Sequence, residues 1–401
     1  MNKRRIPLIL LTLLLATLTV VLVVRWQAWF GLPAESPFDL GRGIRRVLVV
    51  PGSDGLKSRV VTWVSGDSMP VAFVLDGDTT IVSPKRIPTE GGVTYAFRKG
   101  LRGLSPGTHR YRITAPSGET FADSLFVRGV SSRGDRLIYI GDLQDPEKGL
   151  SRDFLKGVAE RYPDADACLF AGDLIERGHD GYWEIFYDAV RDFAPHTAFI
   201  PAIGNHEYTK GLSKKPDPRW REAFPKPPAS DDRADGVGRL NYFVDYPHVR
   251  VVVVNTNTLP FGNLSPLTSW LKRTLTERKD DPFLIVVMHH GVHSMAAGRV
   301  NLAERFVLGP LFRAHGVDLV LQGHDHVYAR VKKKTLSDPL YLTSTSSLKS
   351  YHVKPDPSRL DAYADGGRFY VVLDVGAEKI DGTTFREDHS EFDRFTLTKQ
   401  R

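Results

Sequence analysis

Five apolar segments of this sequence each end in a polar motif, and this pattern restricts the possible folds more than any other feature. The segments have the length of buried strands. In open α/β sheets, ligands bind outside the carboxyl ends of the strands, so we expect the five motifs to converge at one edge. The motifs are Gly141-Asp142, Gly172-Asp173, Gly204-Asn205-His206-Glu207, His289-His290 and Gly323-His324-Asp325-His326.

From about residue 135 onwards, strand-like apolar runs alternate with runs of helical periodicity, which predicts a layered α/β domain. The segment 210–240 is rich in Lys, Pro and Asp, which predicts a long surface loop. The predicted strands are 137–140, 167–171, 198–203, 249–254, 283–288 and 317–321. The predicted helices are 151–161, 182–193, 266–277 and 302–315.

The preceding region, residues 44–129, has a different pattern. Short runs of period-two alternation are separated by turn signals such as Asp76-Gly77 and Pro106-Gly107. Six or seven strands at this spacing predict an antiparallel β-sandwich of fibronectin or immunoglobulin type. Nothing in this region resembles a catalytic motif, so we interpret it as a packing or spacer domain.

The N-terminus carries an uncharged run of 19 residues, 6–24, which as a helix is about 28 Å long and matches one bilayer core. Three basic residues at positions 3–5 precede it, and basic flanks stay cytoplasmic. We therefore expect a membrane anchor, with Trp26 and Trp29 at the interface and the rest of the chain periplasmic or extracellular. A cleaved signal peptide is the alternative. Residues 31–43 read as a linker.

Charge and cysteine content exclude other classes. The formal net charge is +7, but residues 1–30 hold four basic residues and no acid, which leaves 50 basic against 47 acidic residues in the rest. A nearly neutral body argues against nucleic-acid binding. The single cysteine, Cys168, permits neither an internal disulfide nor a cysteine-based zinc site. Any metal ion must be held by His, Asp, Asn or Glu.

The motif side chains are suited to one kind of chemistry. Carboxylate, amide and imidazole ligands suit Mn, Fe or Zn. One carboxylate can bridge two such ions about 3.5–4 Å apart, and the pair then lowers the pKa of a bound water and clamps the oxygens of a phosphoryl group. The motifs therefore indicate hydrolysis of phosphate esters.

The motif order GD, GD, GNHE, HH, GHDH resembles that of the calcineurin-like metallophosphoesterases. With the sandwich in front, residues 44–398 are similar to purple acid phosphatases, in particular to their bacterial relatives. The resemblance implies an α/β fold with a layered β-sandwich metallophosphoesterase core, a fibronectin III-like sandwich before it and an N-terminal transmembrane helix. The stretches that match most closely are 101–113 (LRGLSPGTHRYRI), 198–208 (AFIPAIGNHEY) and 317–330 (VDLVLQGHDHVYAR).

The resemblance also implies roles for individual residues. Asp142 and His326 would bind the first metal ion, and Asp173 would bridge both ions. A metal-activated hydroxide would attack phosphorus, while His206, which is not a ligand, stabilises or protonates the leaving oxygen. The ligands implied for the second metal ion are Asn205, His289 and His324.

Two positions depart from the family pattern. Purple enzymes place a metal-bound tyrosine three residues after the second aspartate, where this chain has Glu176. Other branches place a histidine two residues after the first aspartate, where this chain has Gln144. We favour the Gln144 amide oxygen as the substitute ligand, because two-residue spacing on an extended segment returns the side chain to the same side as Asp142. Glu176 or water is the alternative.

Four further polar residues lie in the motifs or close to them. His290 and His293 are candidates for hydrogen bonds to the substrate, or they are surface or supporting histidines. Glu207 and Asp325 are expected to orient ligands rather than to bind metal themselves.

The sequence as a whole predicts a membrane-tethered phosphomonoesterase with two divalent or mixed-valence ions (Fe, Mn or Zn). Its expected partners are a phosphorylated small-molecule substrate and, through the N-terminal helix, the lipid bilayer. The alternatives are a phosphodiesterase or pyrophosphohydrolase acting on nucleotides or lipid head groups, and a non-catalytic surface binding module. The predicted domains are 1–30 (anchor), 31–43 (linker), 44–129 (sandwich) and 130–401 (metallophosphoesterase).

Overall fold

The computed structural model describes most of the chain, and the bounds of its helices and strands follow. The described residues are 6–30, 35–52, 54–89, 91–129, 134–209, 214–225, 227, 240–257, 259, 264–278, 282–353 and 358–399. The helices are α1 (Ile6–Phe30), α2 (Arg152–Arg161), α3 (Asp180–Val190), α4 (Pro218–Ala223), α5 (Leu264–Thr276) and α6 (Gly309–Ala314), the last preceded by a π-helical turn at Glu304–Leu308. Strands β1–β8 are Arg45–Pro51, Arg59–Ser65, Val71–Leu75, Asp78–Val82, Lys85–Thr89, Gly92–Leu101, Gly107–Thr114 and Thr120–Val127. Strands β9–β15 are Asp135–Ile140, Ala167–Phe170, Ala198–Pro201, Tyr242–Asp245, Val249–Val254, Phe283–Met288 and Leu319–Gln322. Strands β16–β21 are Val327–Val331, Leu340–Thr343, Leu360–Asp365, Phe369–Val375, Lys379–Arg386 and Glu391–Thr398.

Strands β1–β8 form two antiparallel layers, in the orders β5-β6-β2-β1 and β4-β3-β7-β8. Their inner faces share one apolar core, in which Trp63 stacks on Phe73 with ring centroids 5.9 Å apart and Phe73 stacks on Tyr111 at 5.7 Å. The expected antiparallel packing is therefore present, because alternate residues of both layers meet between them. Assignment of the sandwich to the fibronectin type stays a prediction.

The sequence pattern predicted six or seven strands in this region and the structure has eight, because β4 and β5 were not recognised. The first four residues of β4 are all exposed, so the alternation that marks a half-buried strand is absent there. The preceding Asp76-Gly77 pair has positive φ at both residues, 49° and 101°, and closes a tight hairpin between β3 and β4. The turn was recognisable from the sequence, but the strand after it was not.

The second region is a layered α/β structure, as expected. Strands β21-β20-β19-β9-β10-β11 face a seven-stranded sheet of order β12-β13-β14-β15-β17-β16-β18 across a core of buried aliphatic residues. Helices α2 and α3 pack on the outer face of the first sheet, and α5 and α6 pack on that of the second. The apolar runs are continuous rather than alternating because both faces of these strands are covered.

The parallel strands end at the same level. In the first sheet, Phe170 pairs with Ile140 on one side and with Pro201 on the other, and each is the last residue of its strand. In the second sheet, Met288 pairs with Val254 and with Gln322, again at the strand ends. The polar motifs that follow these strands therefore begin at one edge of the two-sheet core.

The two regions share a sheet. Val49 of β1 pairs in parallel with Ala198 of β11, and its backbone N–H donates to the carbonyl of Ala194 at 2.9 Å. The pairing extends the first sheet to ten strands across both regions. The predicted division at residues 129 and 130 lies beside residues 130–133, which are outside the described part, and it stays a prediction.

Helix α1 contains a window, Ile9–Trp26, that is long and apolar enough to cross a membrane, and none of it is buried against the rest of the described chain. The side chain of Trp29 lies outside the described residues. Most of the predicted loop 210–240 also lies outside them. Its described part contains α4, where Trp220 is buried against Phe224, so a surface loop is the wrong description of that part.

A buried ion-pair cluster joins the sandwich to the α/β core. Arg46 of β1 donates from Nη1 to Asp180 and from Nε to Glu184, both at 2.7 Å, and Arg219 donates to the other oxygen of Asp180 at 2.6 Å. Burial opposes ionisation of Asp180, but Arg219 and Arg46 outweigh it and lower the pKa of that carboxyl. The linker residue Glu35 also pairs with Arg219.

Replacing Arg46 by alanine should lower the free energy of unfolding by about 3 kcal/mol, because it removes one partner of a buried charge cluster. The neighbouring Arg45→Ala is a matched control, since the Arg45–Glu119 pair is largely exposed and should contribute less than about 1 kcal/mol. Chemical unfolding of the full-length chain in detergent measures both values. Equal losses in the two variants would contradict the clustering argument.

Candidate metal centre

The strand-end motifs meet in one cluster, as the sequence predicts. Ligand atoms of Asp142, Asp173 and His289 lie within 4.8 Å of one another, and all three side chains are buried. A second group, His289, His290 and His324, satisfies the same distance and shares His289 with the first. Two overlapping groups of this kind are what a pair of neighbouring cations requires.

His289 occupies the centre of the cluster. Its Nδ1–H donates to the carbonyl of Ala171 at 2.8 Å, which fixes the tautomer and the ring orientation. Its Nε2 lies 3.2 Å from Asp173 Oδ2 and 3.0 Å from Asn205 Oδ1. His324 Nδ1 approaches the same Nε2 at 3.1 Å. Four atoms able to bind a metal therefore face one small volume.

The charges of this cluster are balanced by histidine alone. In the described part of the chain, the ion pairs of Asp142 and Asp173 involve His289 and His206 and no lysine or arginine. Burial raises the pKa of Asp142 to about 7. Burial also opposes ionisation of Asp173, but His289 outweighs it and lowers its pKa.

The interaction with Asp173 shifts the pKa of His289 in the opposite direction. Burial alone would lower its pKa, but the nearby Asp173 raises it to about 9. The imidazole thus holds a proton where the two carboxylates need a positive charge, and a metal cation bound there supplies that charge instead. The donor set of carboxylate, imidazole and amide oxygen fits Mn, Fe or Zn.

The conformational strain of the site lies on its functional residues. Left-handed backbone occurs at Gln144 (φ 45°), Asp173 (50°), His324 (72°) and His326 (46°). One of the preceding glycines, Gly172, is left-handed as well, with φ 95°. Gly204 has another function: a Cβ there would lie 2.1 Å from Asp173 Oδ1, so the missing side chain admits the carboxylate.

Of the remaining predicted ligands, Gln144 and His326, the first is joined to the cluster through its backbone, since its N–H donates to the carbonyl of Asp173 at 3.1 Å. Gln144 Oε1 and His326 Nδ1 are buried and have no hydrogen-bond partner among the described residues. Buried polar atoms are normally paired, and an atom without a protein partner fits a ligand position. Both atoms therefore suit a cation ligand.

His206 lies beside the cluster and points away from its neighbour Asn205. Its ring contacts the Gln144 amide nitrogen at 2.8 Å, and Nδ1 donates to the carbonyl of Glu176. Its Nε2 lies 4.0 Å from Asp173 Oδ2, and the side chain remains 30% exposed. The ring is thus held at the mouth of the site.

Glu207 and Asp325 hold the loops of the site in place. The buried carboxylate of Glu207 accepts hydrogen bonds from backbone N–H groups at positions 173, 174, 175 and 204 at 2.7–3.2 Å. The Asp325 carboxylate accepts from the hydroxyl of Ser294 at 2.7 Å and from the backbone at 295 and 296. These contacts agree with the orienting role expected from the sequence.

The two candidate substrate histidines separate in the structure. His290 joins the cluster, with its ring centroid 4.5 Å from that of His324 and its Nδ1 2.8 Å from the hydroxyl of Thr256. His293 instead packs its ring edge against Tyr341, at 4.6 Å, and lines a different cavity. The structure therefore brings only His290 to the metal-binding groups.

Sequence reasoning missed Thr256, which fixes His290. Strand β13 ends at Val254 and is followed by Asn255, Thr256 and Asn257, a sixth polar strand end of the kind already noted. The strand-end rule would have found it. It was overlooked because it contains neither a carboxylate nor a histidine.

Arg299 and Lys349 were also missed. Arg299 donates to the carbonyl of His324 at 2.6 Å and lies 4.8 Å from the ring centroid of Tyr351. Lys349 pairs with Glu176 at 2.6 Å. Both reach the rim of the site from segments without a strand-end motif, so the sequence gives no signal for them.

Comparisons with known proteins agree with this geometry. Residues 136–328 match the family model described as calcineurin-like phosphoesterase. Purple acid phosphatase 21 of Arabidopsis thaliana is 28% identical over 199 residues, which are 46% of this chain and 44% of that protein. The solved purple acid phosphatase PPD1 from yellow lupin (Lupinus luteus) seeds has a TM-score of 0.69 at 17% identity and covers 89% of this chain and 74% of its own. The structure of PhoD has a TM-score of 0.61 at 12% identity and covers 92% of this chain and 94% of its own.

The fold and the clustered ligands thus agree with a phosphatase-type hydrolase domain. Residues 136–328 form a calcineurin-like phosphoesterase domain, and purple acid phosphatases are among the relatives of the chain. The chain spans less than half the length of the Arabidopsis relative it matches, and the solved structures show the fold alone. A dinuclear metal centre is implied by this family.

The Glu176–Lys349 pair leads to a spectroscopic prediction. In the purple enzymes, which this chain resembles, a tyrosine phenolate on ferric iron gives the colour. Here Glu176 stands at that position and its carboxylate is paired with Lys349. The iron-loaded full-length protein should therefore show no purple charge-transfer band in its visible absorption spectrum.

Tyr351 provides the control, because its ring packs edge-on against His326 with centroids 5.2 Å apart. Tyr351→Phe should leave the spectrum of the iron-loaded protein unchanged. A purple wild-type protein that loses its colour in this variant would show that Tyr351 is a ligand and that the first metal site is wrongly assigned.

Proposed function

We propose that this protein hydrolyses phosphate monoesters at a two-metal centre on the non-cytoplasmic side of a membrane. The observation that carries the proposal is the pair of buried carboxylates, Asp142 and Asp173, which share His289 and have no basic partner other than histidine in the described chain. Two such carboxylates are stable as a buried pair only with strong cationic partners. Several relatives of the chain are named purple acid phosphatases, which supports the choice of a phosphatase activity.

In the proposed centre, Asp173 would bind both metal ions. Asp142, His326 and Gln144 would hold the first ion, and the second-metal ligands implied by the resemblance would hold the other. When bound, the metal pair supplies a nucleophile from water at neutral pH and neutralises charge on the phosphoryl oxygens. The ligands of the second position are Asn205, His289 and His324.

His206 is proposed as the general acid for the leaving oxygen. Because Nδ1 keeps its proton by donating to the Glu176 carbonyl, Nε2, which lies 2.8 Å from the Gln144 amide nitrogen, is the ring atom that would take up and release the acid proton. The Gln144 amide contact limits rotation of the same ring. His290 is proposed to hydrogen-bond the substrate, with Thr256 holding its Nδ1 and leaving Nε2 free to face the site.

The two roles can be separated by mutation. His206→Ala should keep the metal content of the wild type and lower kcat by roughly 10²- to 10⁴-fold, the usual contribution of a positioned acid. Asp173→Asn should lose metal as well as turnover, because one carboxylate is proposed to hold both cations. Elemental analysis and hydrolysis of a chromogenic phosphomonoester, followed in parallel, measure the two quantities.

His196→Ala serves as the control, since this histidine lies on the surface near Asp123. Its metal content and turnover should match those of the wild type. Loss of metal in His206→Ala would instead make His206 a ligand, and full metal content in Asp173→Asn would remove the bridging role.

We further propose that α1 remains attached and anchors the enzyme. Its apolar side chains from Ile9 to Trp26 are exposed in the described structure, as a membrane span requires, and a signal sequence has the same composition. The basic residues at positions 3–5 would keep the N-terminus cytoplasmic. The phosphoesterase domain would then face the periplasm or the exterior.

The anchor is tested by fractionation. The full-length protein should sediment with membranes and resist extraction by high salt, because burial of an apolar helix does not depend on ionic strength. A chain beginning at Glu35, which keeps the Glu35–Arg219 ion pair, should be soluble and hydrolyse the same chromogenic ester at the wild-type rate. Recovery from the native host of a shortened and freely soluble chain would show a signal peptide instead.

A further inference from the structure

A cavity of about 770 Å³, separate from the candidate metal centre, opens on the surface of the phosphoesterase domain. It lies between the π-helical turn, helix α6 and the segment 331–334, and Tyr341 and His293 form part of its wall. None of the proposed metal ligands lines it. Its volume falls within the usual range of small-molecule sites, roughly 300–1,000 Å³.

The wall of this cavity is strongly basic. It contains six basic side chains and a single acidic one, Asp338, whereas the chain beyond residue 30 has almost equal numbers of the two. Asp338 pairs with one of the six, Arg313, so five positive charges exceed the acids of the wall. This excess of positive charge raises the local concentration of anions. The six basic residues are Arg305, Arg313, Lys332, Lys333, Lys334 and Arg359.

The positive charges of the wall contribute to a lowered pKa of His293. Burial lowers its pKa first, and Arg359, Arg305 and Lys334 lower it further, to about 4. The ring is therefore neutral at physiological pH and retains an N–H group that can donate a hydrogen bond.

The cavity is also partly apolar. Val292, Val331 and Tyr341 contribute apolar surface to its wall, and Phe306 stands at its edge with 66% of its surface exposed. Leu302, close to Phe306 in sequence, is 64% exposed. A ligand that fits these surfaces has an anionic part and an apolar part.

Local backbone structure places the two kinds of side chain together. Arg305 and Phe306 both lie on the π-helical turn Glu304–Leu308, and the Arg305 guanidinium stands over the Phe306 ring at 5.6 Å. π-Helical turns are rare in proteins and occur frequently at functional sites. On the opposite side, the backbone N–H of Lys332 donates to the carbonyl of Arg359 at 2.8 Å, which joins two basic segments of the wall.

We propose that this cavity is a second binding site, distinct from the hydrolytic centre, for an amphiphilic ligand that carries a phosphate group. The phosphate would contact the basic side chains of the π-helical turn and of residues 332–334, and the apolar part would contact Phe306 and Tyr341. A lipid head group and a soluble organic phosphate share this chemistry. The site would hold the ligand without breaking a bond in it.

The test compares two double charge reversals in the full-length protein in a non-ionic detergent. Arg305→Glu with Lys334→Glu alters the cavity, and both side chains are exposed, so folding should be preserved. Arg86→Glu with Lys272→Glu changes the net charge equally at exposed positions outside the cavity wall. Calorimetric titration uses three probes: dihexanoyl phosphatidylglycerol, dihexanoyl phosphatidylcholine and methylenediphosphonate, which is not hydrolysed.

We expect the wild type and the Arg86/Lys272 variant to bind at least one of the two anionic probes alike, and the Arg305/Lys334 variant to bind it at least about tenfold more weakly, a loss of about 1.4 kcal/mol. Binding of phosphatidylglycerol in preference to phosphatidylcholine, without binding of the diphosphonate, identifies a lipid head group. Binding of the diphosphonate identifies a soluble phosphate. Either result supports the site.

Three outcomes would overturn the proposal. The first is that neither anionic probe binds to the wild type. The second is equal weakening in both double variants, which would show an effect of net charge alone. The third is a loss of phosphomonoester turnover in the Arg305/Lys334 variant that parallels the loss of binding, because the anion would then occupy the hydrolytic centre.

Discussion

The burial of two carboxylates, Asp142 and Asp173, is the constraint on which the rest of the site depends. Removing both from water is strongly unfavourable unless positive charge lies close to them. His289 provides that charge in the described structure, and its ring is fixed in turn by the carbonyl of Ala171. The surrounding loops follow from this requirement. Glu207 collects four backbone N–H groups and so holds the segments of Asp173 and Asn205 against each other.

The apolar part of the fold makes this arrangement possible. Continuous aliphatic strands, covered on both faces, keep their ends in register, and loops that start at the same level reach the same volume. The strained backbone of the site is maintained by these well-packed strands. Left-handed conformations at Asp173 and His324 are costly for residues with a side chain and persist only where the surroundings determine them.

The sequence predicted those features that depend on burial and order along the chain. Strands such as Val249–Val254 and Phe283–Met288 were placed at their observed bounds, since long aliphatic runs have few alternatives. The exposed strand Asp78–Val82 left no pattern, because neither face of it is consistently buried. Within the site, the strand-end side chains Asp142, Asp173 and His289 converge, as their positions in the sequence led us to expect. The direction of a side chain further along a loop was not predictable, as for His293, which turns towards Tyr341. The ion pair of Lys349 with Glu176 was not predictable either, because the two residues are 173 positions apart in the sequence.

The pairing of β1 with β11 has a consequence for how the two regions can exist apart. Strand β11 leads directly to Asn205 and His206, and β1 covers its outer side. Without the sandwich, that side would present unpaired backbone groups to solvent, and such an open strand recruits strands from other molecules. The sandwich therefore acts as a cap against aggregation for the strand that carries the proposed acid. A phosphoesterase domain excised at the predicted boundary would have to replace that cap to remain soluble.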